Sequence, residues 1–325
     1  MRFTLLIGLI ITLFSRVPSS VSPASGETTK PLKTIGILAC LRHYEPAPAL
    51  DKYATLDADL MLWMGDNIYA DTDSMLQLKQ DYLQLAELEA FQAISHIPTM
   101  ATWDDHDLGQ DSAGAHYPKR DESKTIFMDF WGFPDAPQVR SQPGVYSAQI
   151  FGPVGKRVQV IMLDTRYANS DTRVLDEQQW LWLAQQLDKA SEFRLIVSSQ
   201  QVLLPSGTRF EGWADVPTEQ DRLFSLLRQK KTSGLIFISG DQHFAETSQR
   251  NDLLSYPVHE WTHAGINQDE DHLPNLYRTQ VAHAKHSYAS ITFQWSEDPS
   301  ATFTVRDLEE NIILTHTLRL SEISH

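Results

Sequence analysis

The stretch LMLWMGDNIYAD, Leu60–Asp71, decides the fold. Its first five residues read as a strand buried on both faces, and Gly65 lets the backbone turn where the apolar run stops. The residues beyond Gly65 are acidic and aromatic: Asp66, Asn67, Tyr69 and Asp71. The same pattern recurs twice. IPTMAT leads into WDDHD (Trp103–Asp107), and LIFI leads into SGDQHFAE (Ser239–Glu246). Carboxylates and imidazoles at the ends of buried strands are costly unless a positive charge neutralises them. Close carboxylates also repel one another unless a cation intervenes. A bound metal supplies that charge, so the three clusters point to a metal-dependent hydrolase.

Working outward, Lys33–Cys40 reads as the first core strand and Leu60–Met64 as the second. Ser74–Ile94 is Leu-rich and polar-interleaved, which predicts a helix, and Pro98 stops it. Gln110–Gln142 mixes Gly, Pro, Asp and aromatics and reads as loop with one short helix around Ser123–Trp131. Lys156–Leu163, Arg194–Ser199 and Leu235–Ile238 read as strands. Asp176 is a suitable N-cap for a helix over Glu177–Ala190, with Trp180, Leu181, Leu183, Ala184 and Leu187 on its apolar face. Thr218–Lys230 reads as a second helix with Leu223, Phe224, Leu226 and Leu227 inward. Ser290–Trp295, Ala301–Asp307 and Asn311–Leu320 alternate in polarity, as an antiparallel meander does. The pattern is an α/β core with a mixed sheet or two packed sheets. Ligands of such sheets sit outside the carboxyl ends of strands. All three clusters lie at such ends.

The 325 residues suffice for one large domain or two medium ones. A formal net charge of −15 argues against a nucleic-acid-binding surface, which would be basic. It does not argue against a phosphate substrate, because a bound cation inverts the local field. Arg2, the apolar stretch Leu5–Phe14 and the small residues after it have the layout of a secretory signal peptide. The leader is taken as residues 1–24, with cleavage between Ser20 and Gly26, and the folded domain as 33–322. Ten apolar residues are too few for a comfortable span, so no stable membrane span is expected after cleavage. The expected location is secreted or periplasmic. Cys40 is the sole cysteine, which excludes an internal disulfide.

Asp66 offers two oxygens and can bridge two cations, and Tyr69 reaches the same face if the segment turns helically. In WDDHD one Asp can bind metal while His106 serves as acid or charge stabiliser. Asp241 and His243 are two residues apart, on one side if the strand direction persists. Cys40 ends the first strand, as a soft metal donor or as a buried small hydrophobe. Such a site can activate water and clamp a leaving oxygen, and phosphate esters suit that clamp. Ester or amide hydrolysis stays open from the clusters alone. Phe130, Trp131 and Phe133 offer either a lipid contact or ordinary packing.

WMGDNIYAD, ATWDDHD, LDTRY (Leu163–Tyr167), SSQQ (Ser198–Gln201), ISGDQHFAE and HEWTHAGIN (His259–Asn267) appear in that order. Together they resemble the alkaline phosphatase D (PhoD-like) family of metallophosphatases, from about Thr34 to the C-terminal strands. The resemblance implies an αββα sandwich with mixed sheets and antiparallel C-terminal strands. It also implies a secreted hydrolase of phosphate monoesters or diesters with an iron and calcium centre, other divalent metals being alternatives. By motif match Cys40, Asp66 and Tyr69 look like iron ligands, and Asp105, Asp241 and His243 like the remaining metal residues. His106 resembles the catalytic histidine, beside Asp105. Arg166, Lys119, Asn67 and His263 are the substrate-side candidates. Several positions depart from the family pattern: Ala39-Cys40 for Ser-Cys, Gln242 before the third-motif histidine, and Thr262-His263-Ala264-Gly265 for Thr-Ser-Ser-Gly. The leader lacks an Arg-Arg pair. The expected substrate is a phosphate-ester small molecule or a phospholipid. A phospholipase-like phosphodiesterase and a non-catalytic metal-stabilised binding protein are the rival readings.

Overall fold

Leu60–Met64 forms a strand buried along its whole length, and its side chains divide by the period of two. Leu60, Leu62 and Met64 join the larger core cluster, which contains Ile161 and Ile196 of the other sheet. Met61 and Trp63 point the other way, into a cluster with Leu78, Tyr82, Phe91 and Phe127 from covering helices. A strand between a sheet and a helical layer has to be apolar on both faces, which is why this run shows no polar alternation. Trp63 meets Phe91 at 5.5 Å and Trp131 at 5.1 Å between ring centroids. Truncation of Trp63 to Ala costs about 3–5 kcal/mol at such a site.

The computed structural model describes residues 29–271, 274–282 and 285–325; the expected leader lies outside them. Among the described residues the strands are, in chain order, β1 (Thr34–Leu38), β2 (Leu60–Met64), β3 (Thr99–Thr102), β4 (Ser147–Phe151), β5 (Val158–Met162), β6 (Phe193–Ser198), β7 (Leu235–Ser239), β8 (Ala245–Arg250), β9 (Val258–His263), β10 (Arg278–Ala282), β11 (Tyr288–Gln294), β12 (Ser300–Arg306) and β13 (Ile312–Arg319). They make two mixed sheets, ordered β13-β12-β11-β1-β2-β3 and β10-β8-β9-β7-β6-β5-β4. In the first, β1, β2 and β3 are parallel and β11–β13 form the antiparallel meander expected of the C-terminus. In the second, β5, β6, β7 and β9 are parallel, β4 and β8 are antiparallel to them, and β10 pairs antiparallel with β8 at the edge. Helices Met75–Glu87, Glu89–Ile94 and Arg120–Phe130 contribute to the cluster on the first sheet's outer side. Helices Glu177–Leu187 and Pro217–Gln229 pack against the larger cluster. The layering is an α/β sandwich, two mixed sheets packed on each other with helices outside, as the resemblance implies.

At Gly36, β1 lies close against its neighbours. A Cβ there would stand 2.6 Å from the Met61 sulfur and 3.1 Å from the Tyr53 ring. The Tyr53 hydroxyl in turn donates to the Ile37 carbonyl. At Asp176 the carboxylate accepts from the N–H groups of Gln178 and Gln179, so the expected cap holds. Leu181 is 67% exposed, however, and the inward face is completed by Gln179 and Gln186 instead. The long helix read over Ser74–Ile94 is two helices, broken where Leu88 turns extended at ψ 125°. The short helix starts earlier than expected, at Arg120, with Asp121 and Glu122 in its first turn facing the positive end of the helix dipole.

Candidate metal centre

The parallel strands deliver their carboxyl ends to one place. The backbone beyond β1 is stitched to the backbone beyond β2: Cys40 N donates to Gly65 O, and Leu41 N to Asp66 O at 2.8 Å. Gly240, after β7, donates its N–H to Ser199 O, after β6. Gly65 adopts φ +113°, and a Cβ there would lie 2.9 Å from the Asp104 Cβ and 3.0 Å from that of Ser199. Glycine is therefore what lets three loops close on one another.

Four of the expected metal residues hold left-handed backbone: Cys40 (φ 59°), Asp66 (52°), Asp241 (66°) and His243 (59°). Each such non-glycine residue costs on the order of 1 kcal/mol or more, and clusters of them mark functional sites. They also change how the donors converge. Asp241 and His243 do not continue β7; the chain leaves the sheet at Ser239, and left-handed turns at Asp241 and His243, on either side of Gln242, bring both side chains inward. Tyr69 likewise arrives without a helical turn, since residues 65–70 carry no helix.

Asp66 sits at the centre. Its Oδ2 accepts from the Tyr69 hydroxyl at 3.0 Å and lies 3.7 Å from the Cys40 sulfur. The Tyr69 oxygen is 3.1 Å from His243 Nε2. Among the described residues three donor groups have their ligand atoms within 4.8 Å of one another, and Asp66 belongs to each: Cys40–Asp66–His243, Asp66–Asp105–His106 and Asp66–Asp104–Asp241. Asp66 Oδ1 and Asp104 Oδ2 are buried with no hydrogen-bond partner. Such orphaned carboxylate oxygens are expensive unless a cation meets them.

The electrostatics agree. Burial, then repulsion from Asp105 and Asp104, pushes the Asp66 carboxyl well above the usual range. Burial and Asp104 do the same to Asp241, and burial takes Asp104 to about 6 although Arg166 opposes it. Burial, then Asp66, raises the Cys40 thiol and the Tyr69 phenol. His243 is pushed down to about 3, chiefly by burial. Arg166 is the buried cation among them. It pairs with Asp104 and with Glu211, and lies 3.3 Å from Asp105. Burial alone would raise Asp105, but Arg166, His106 and the Ser112 N–H outweigh it and hold the carboxyl low. One guanidinium cannot balance Asp66, Asp104, Asp105 and Asp241. The donor set of carboxylates, imidazole, phenol and thiol therefore fits metal binding.

His106 lines the cavity above this floor. Its Nδ1 lies 2.6 Å from Asp71 Oδ1, and its ring packs on Tyr69 at 4.1 Å. Burial would lower its pKa, yet the Asp71 hydrogen bond and the Asp105 charge raise it. Asp107 does structural work beneath. It accepts from the N–H groups of Asn67 and Asp104 and from the Tyr82 hydroxyl, and so ties two strand-end loops together.

The substrate-side candidates divide. Arg166 touches the cavity but is committed to its ion pairs. Asn67 is fully buried and donates to Thr102 O at 2.9 Å, with Oδ1 unpartnered. Lys119 donates to Asp73 O and does not line the cavity. His263 is fully buried in β9, 3.1 Å from Ser287 Oγ, with burial pushing it to about 3. It too lies off the cavity. Sequence reading passed over Asp104, Asp71, Arg42, Arg209 and Glu211. Asp104 and Asp71 stood inside the quoted clusters, and Arg42 two residues beyond Cys40. Arg209 and Glu211 carried no pattern at all.

No protein-family model matches the sequence, and a search of curated proteins returns no match. Solved structures do match. A structure described as PhoD aligns over 91% of this chain and 71% of its own, with TM-score 0.71 and 14% identity. A purple acid phosphatase from yellow lupin (Lupinus luteus) seeds aligns over 92% of this chain, with TM-score 0.61 and 14% identity; this chain spans 55% of it. A dimetal phosphatase from Danio rerio aligns over 90% of this chain and 100% of its own, with TM-score 0.57 and 13% identity. At these identities the likeness establishes a shared fold, that of the metallophosphatases.

Proposed function

We propose that this chain is a metal-dependent phosphoesterase acting on phosphate monoesters or diesters. The observation that carries the reading is the set of three donor groups sharing Asp66, with buried carboxylate oxygens that lack any partner. The metallophosphatase fold supports it. When bound, the metals would activate a water and neutralise phosphoryl charge.

The chain's own residues supply the rest. Asp71 holds His106 at Nδ1, leaving Nε2 for the cavity. His106, whose pKa the Asp71 hydrogen bond and the Asp105 charge raise against the effect of burial, gives its Nε2 proton in the imidazolium form to the ester oxygen as the bond from phosphorus to that oxygen breaks. The water oxygen forms the new bond to phosphorus, and the proton it loses restores the imidazolium. Arg166 keeps Asp104 and Asp105 aimed at the floor. Cys40, Tyr69 and His243 suit iron, while the carboxylate group Asp66–Asp104–Asp241 suits a hard cation such as calcium. Loss of a visible charge-transfer band in Cys40→Ser tests the iron assignment, and a purified protein without iron contradicts it.

Phe130 and Trp131 pack on each other at 5.0 Å, Trp131 is buried, and Phe133 packs on Phe127 at 5.9 Å. Trp131 belongs to the core and the partly buried Phe130 and Phe133 pack against it, which favours a water-soluble ester over a membrane lipid. No helix among the described residues is long and apolar enough to cross a membrane. With the leader read from the sequence, secretion or a periplasmic location is proposed. Exhaustive chelation is expected to abolish hydrolysis of an aryl phosphate, and added calcium with iron to restore it. Full activity after metal removal would contradict the proposal.

A further inference from the structure

The cavity over the donor cluster measures about 470 Å³. Its floor is polar, but its rim is not uniformly so: Tyr44, Phe210, Arg42 and Arg209 also line it. Tyr44 is 55% exposed, and Phe210 is half-buried. Neither ring belongs to either hydrophobic core cluster. The fold thus gains little from them, while an exposed aromatic ring beside a cavity is a contact surface in waiting.

Their placement is firm. Arg42 is clamped through its backbone by buried Asn267, which accepts from Arg42 N at 3.0 Å and donates to Arg42 O at 2.9 Å. Tyr44, two residues further on, packs edge-on against His43 at 5.1 Å. Phe210 sets its ring edge-on to His243 at 5.7 Å, and the Arg209 guanidinium lies over the Phe210 ring at 5.5 Å. Arg209 also pairs with Glu270 at 2.9 Å. A neighbouring cavity of about 280 Å³ shares Ser112 and Glu211 with this one. It is lined by Asn169, Asp171, Gln200 and Asp215 and by no arginine, phenol or phenyl ring. Of these two adjoining cavities, the one rimmed by Tyr44 and Phe210 is the better place for a flat apolar group.

Resting on the phosphoesterase reading, we infer that the preferred substrates are phosphate esters of alcohols bearing a planar aromatic group. Tyr44 and Phe210 take that group by stacking. Arg42 and Arg209 bracket it with cation–π and charge contacts. Stacking against a base or aryl ring tolerates different rings, so the rim selects a class rather than one compound.

Adenosine 5′-monophosphate and glycerol 1-phosphate test this, because both release a primary alcohol and differ chiefly in the planar group. The metal-loaded wild type is expected to favour the nucleotide in kcat/KM, mainly through a lower KM. The ratio of the two kcat/KM values should fall about tenfold in Phe210→Ala and in Tyr44→Ala, a typical loss for one stacking ring. Tyr44→Phe should keep the ratio, and Phe210→Leu, which retains bulk without the π face, should lose most of it. Unchanged ratios in variants that melt and bind metal like wild type would overturn the inference, as would a wild type with no preference. Failure of the metal-loaded wild type on these two esters and on both an aryl phosphate monoester and a bis-aryl phosphate diester would instead sink the phosphoesterase reading, and this inference with it.

Discussion

Two groups of buried acids in this molecule differ in one respect. Beneath β8 and β9, the Glu260 oxygens accept from the N–H groups of Val202 and Leu203 at 2.8 and 2.7 Å. Glu246 there accepts from Gln201, Asn275 and Arg278. Every one of those carboxylate oxygens has a donor. At the strand ends, Asp66 Oδ1 and Asp104 Oδ2 have none. Burial is common to both groups, so burial alone does not mark a functional site. What marks it is that two unpartnered carboxylate oxygens meet there, beside left-handed backbone at Cys40, Asp66, Asp241 and His243; a single unpartnered oxygen, as at the Asp176 helix cap, does not.

The comparison breaks most easily at Asp66. Asp66→Ala removes the residue common to all three donor groups. Its hydrolytic activity should fall by far more than about 100-fold, the upper end for losing only an outer partner of a metal ligand. Asp73→Ala, on an exposed neighbouring loop, should behave like wild type. Equal activity of the two variants would remove the distinction between the groups.

His106→Asn should lower kcat by roughly 10²–10⁴-fold, the usual contribution of a positioned acid, with metal content unchanged. Loss of metal along with activity would make His106 a ligand first. Glu260→Ala should act in the opposite sense to Asp66→Ala. It leaves two buried N–H groups without an acceptor and costs about 2–3 kcal/mol in chemical denaturation. Metal per folded chain should not change. A stable variant depleted of metal would show that the lower group belongs to the site.

A pH series sharpens the contrast. Burial raises Asp104 to about 6 and Asp107 to about 7, against an unfolded value near 3.9. In the metal-free chain the stabilisation tied to these protons is complete below that unfolded value. It is lost as pH rises through 6 and 7. Metal needs ionised ligands and displaces protons, so apparent metal affinity should climb as pH rises through about 6, where the donor Asp104 ionises. Each proton released contributes up to about tenfold per pH unit. An affinity flat from pH 5 to 8 would contradict the raised carboxyl values. The smallest effect is expected at Lys119. Its ammonium binds Asp73 O away from the cavity, so Lys119→Ala should change stability by no more than about 0.5 kcal/mol and leave the nucleotide KM unaltered.

The sequence revealed some elements plainly and hid others for physical reasons. Leu60–Met64 is apolar on both faces, and its strand matches the expected span residue for residue. The meander β11–β13 alternates and is equally readable. By contrast β9 reads VHEWTH and is buried throughout; His259, Glu260, Thr262 and His263 break the apolar run that marks an interior strand. β4, β8 and β10 are hidden as well, being short and largely polar or half-buried. At the site, residue types and their place after strands pointed to Asp66, His106, Asp241 and His243. What periodicity could not supply was the turn itself. Positive φ at Asp241 and His243, not strand continuation, brings them together. Glu211 and Arg209 come from a loop far in sequence from the motifs they face, and only the fold places them there.

The most direct measurement is metal content per chain, by elemental analysis of the purified protein, read beside its thermal melt before and after chelation. Wild type should carry at least one metal ion per chain and melt lower once stripped, and Asp66→Ala should carry far less and show no further drop. A wild type that holds no metal, and melts identically with and without chelator and added calcium or iron, would contradict the reading of the strand-end acids as a metal centre.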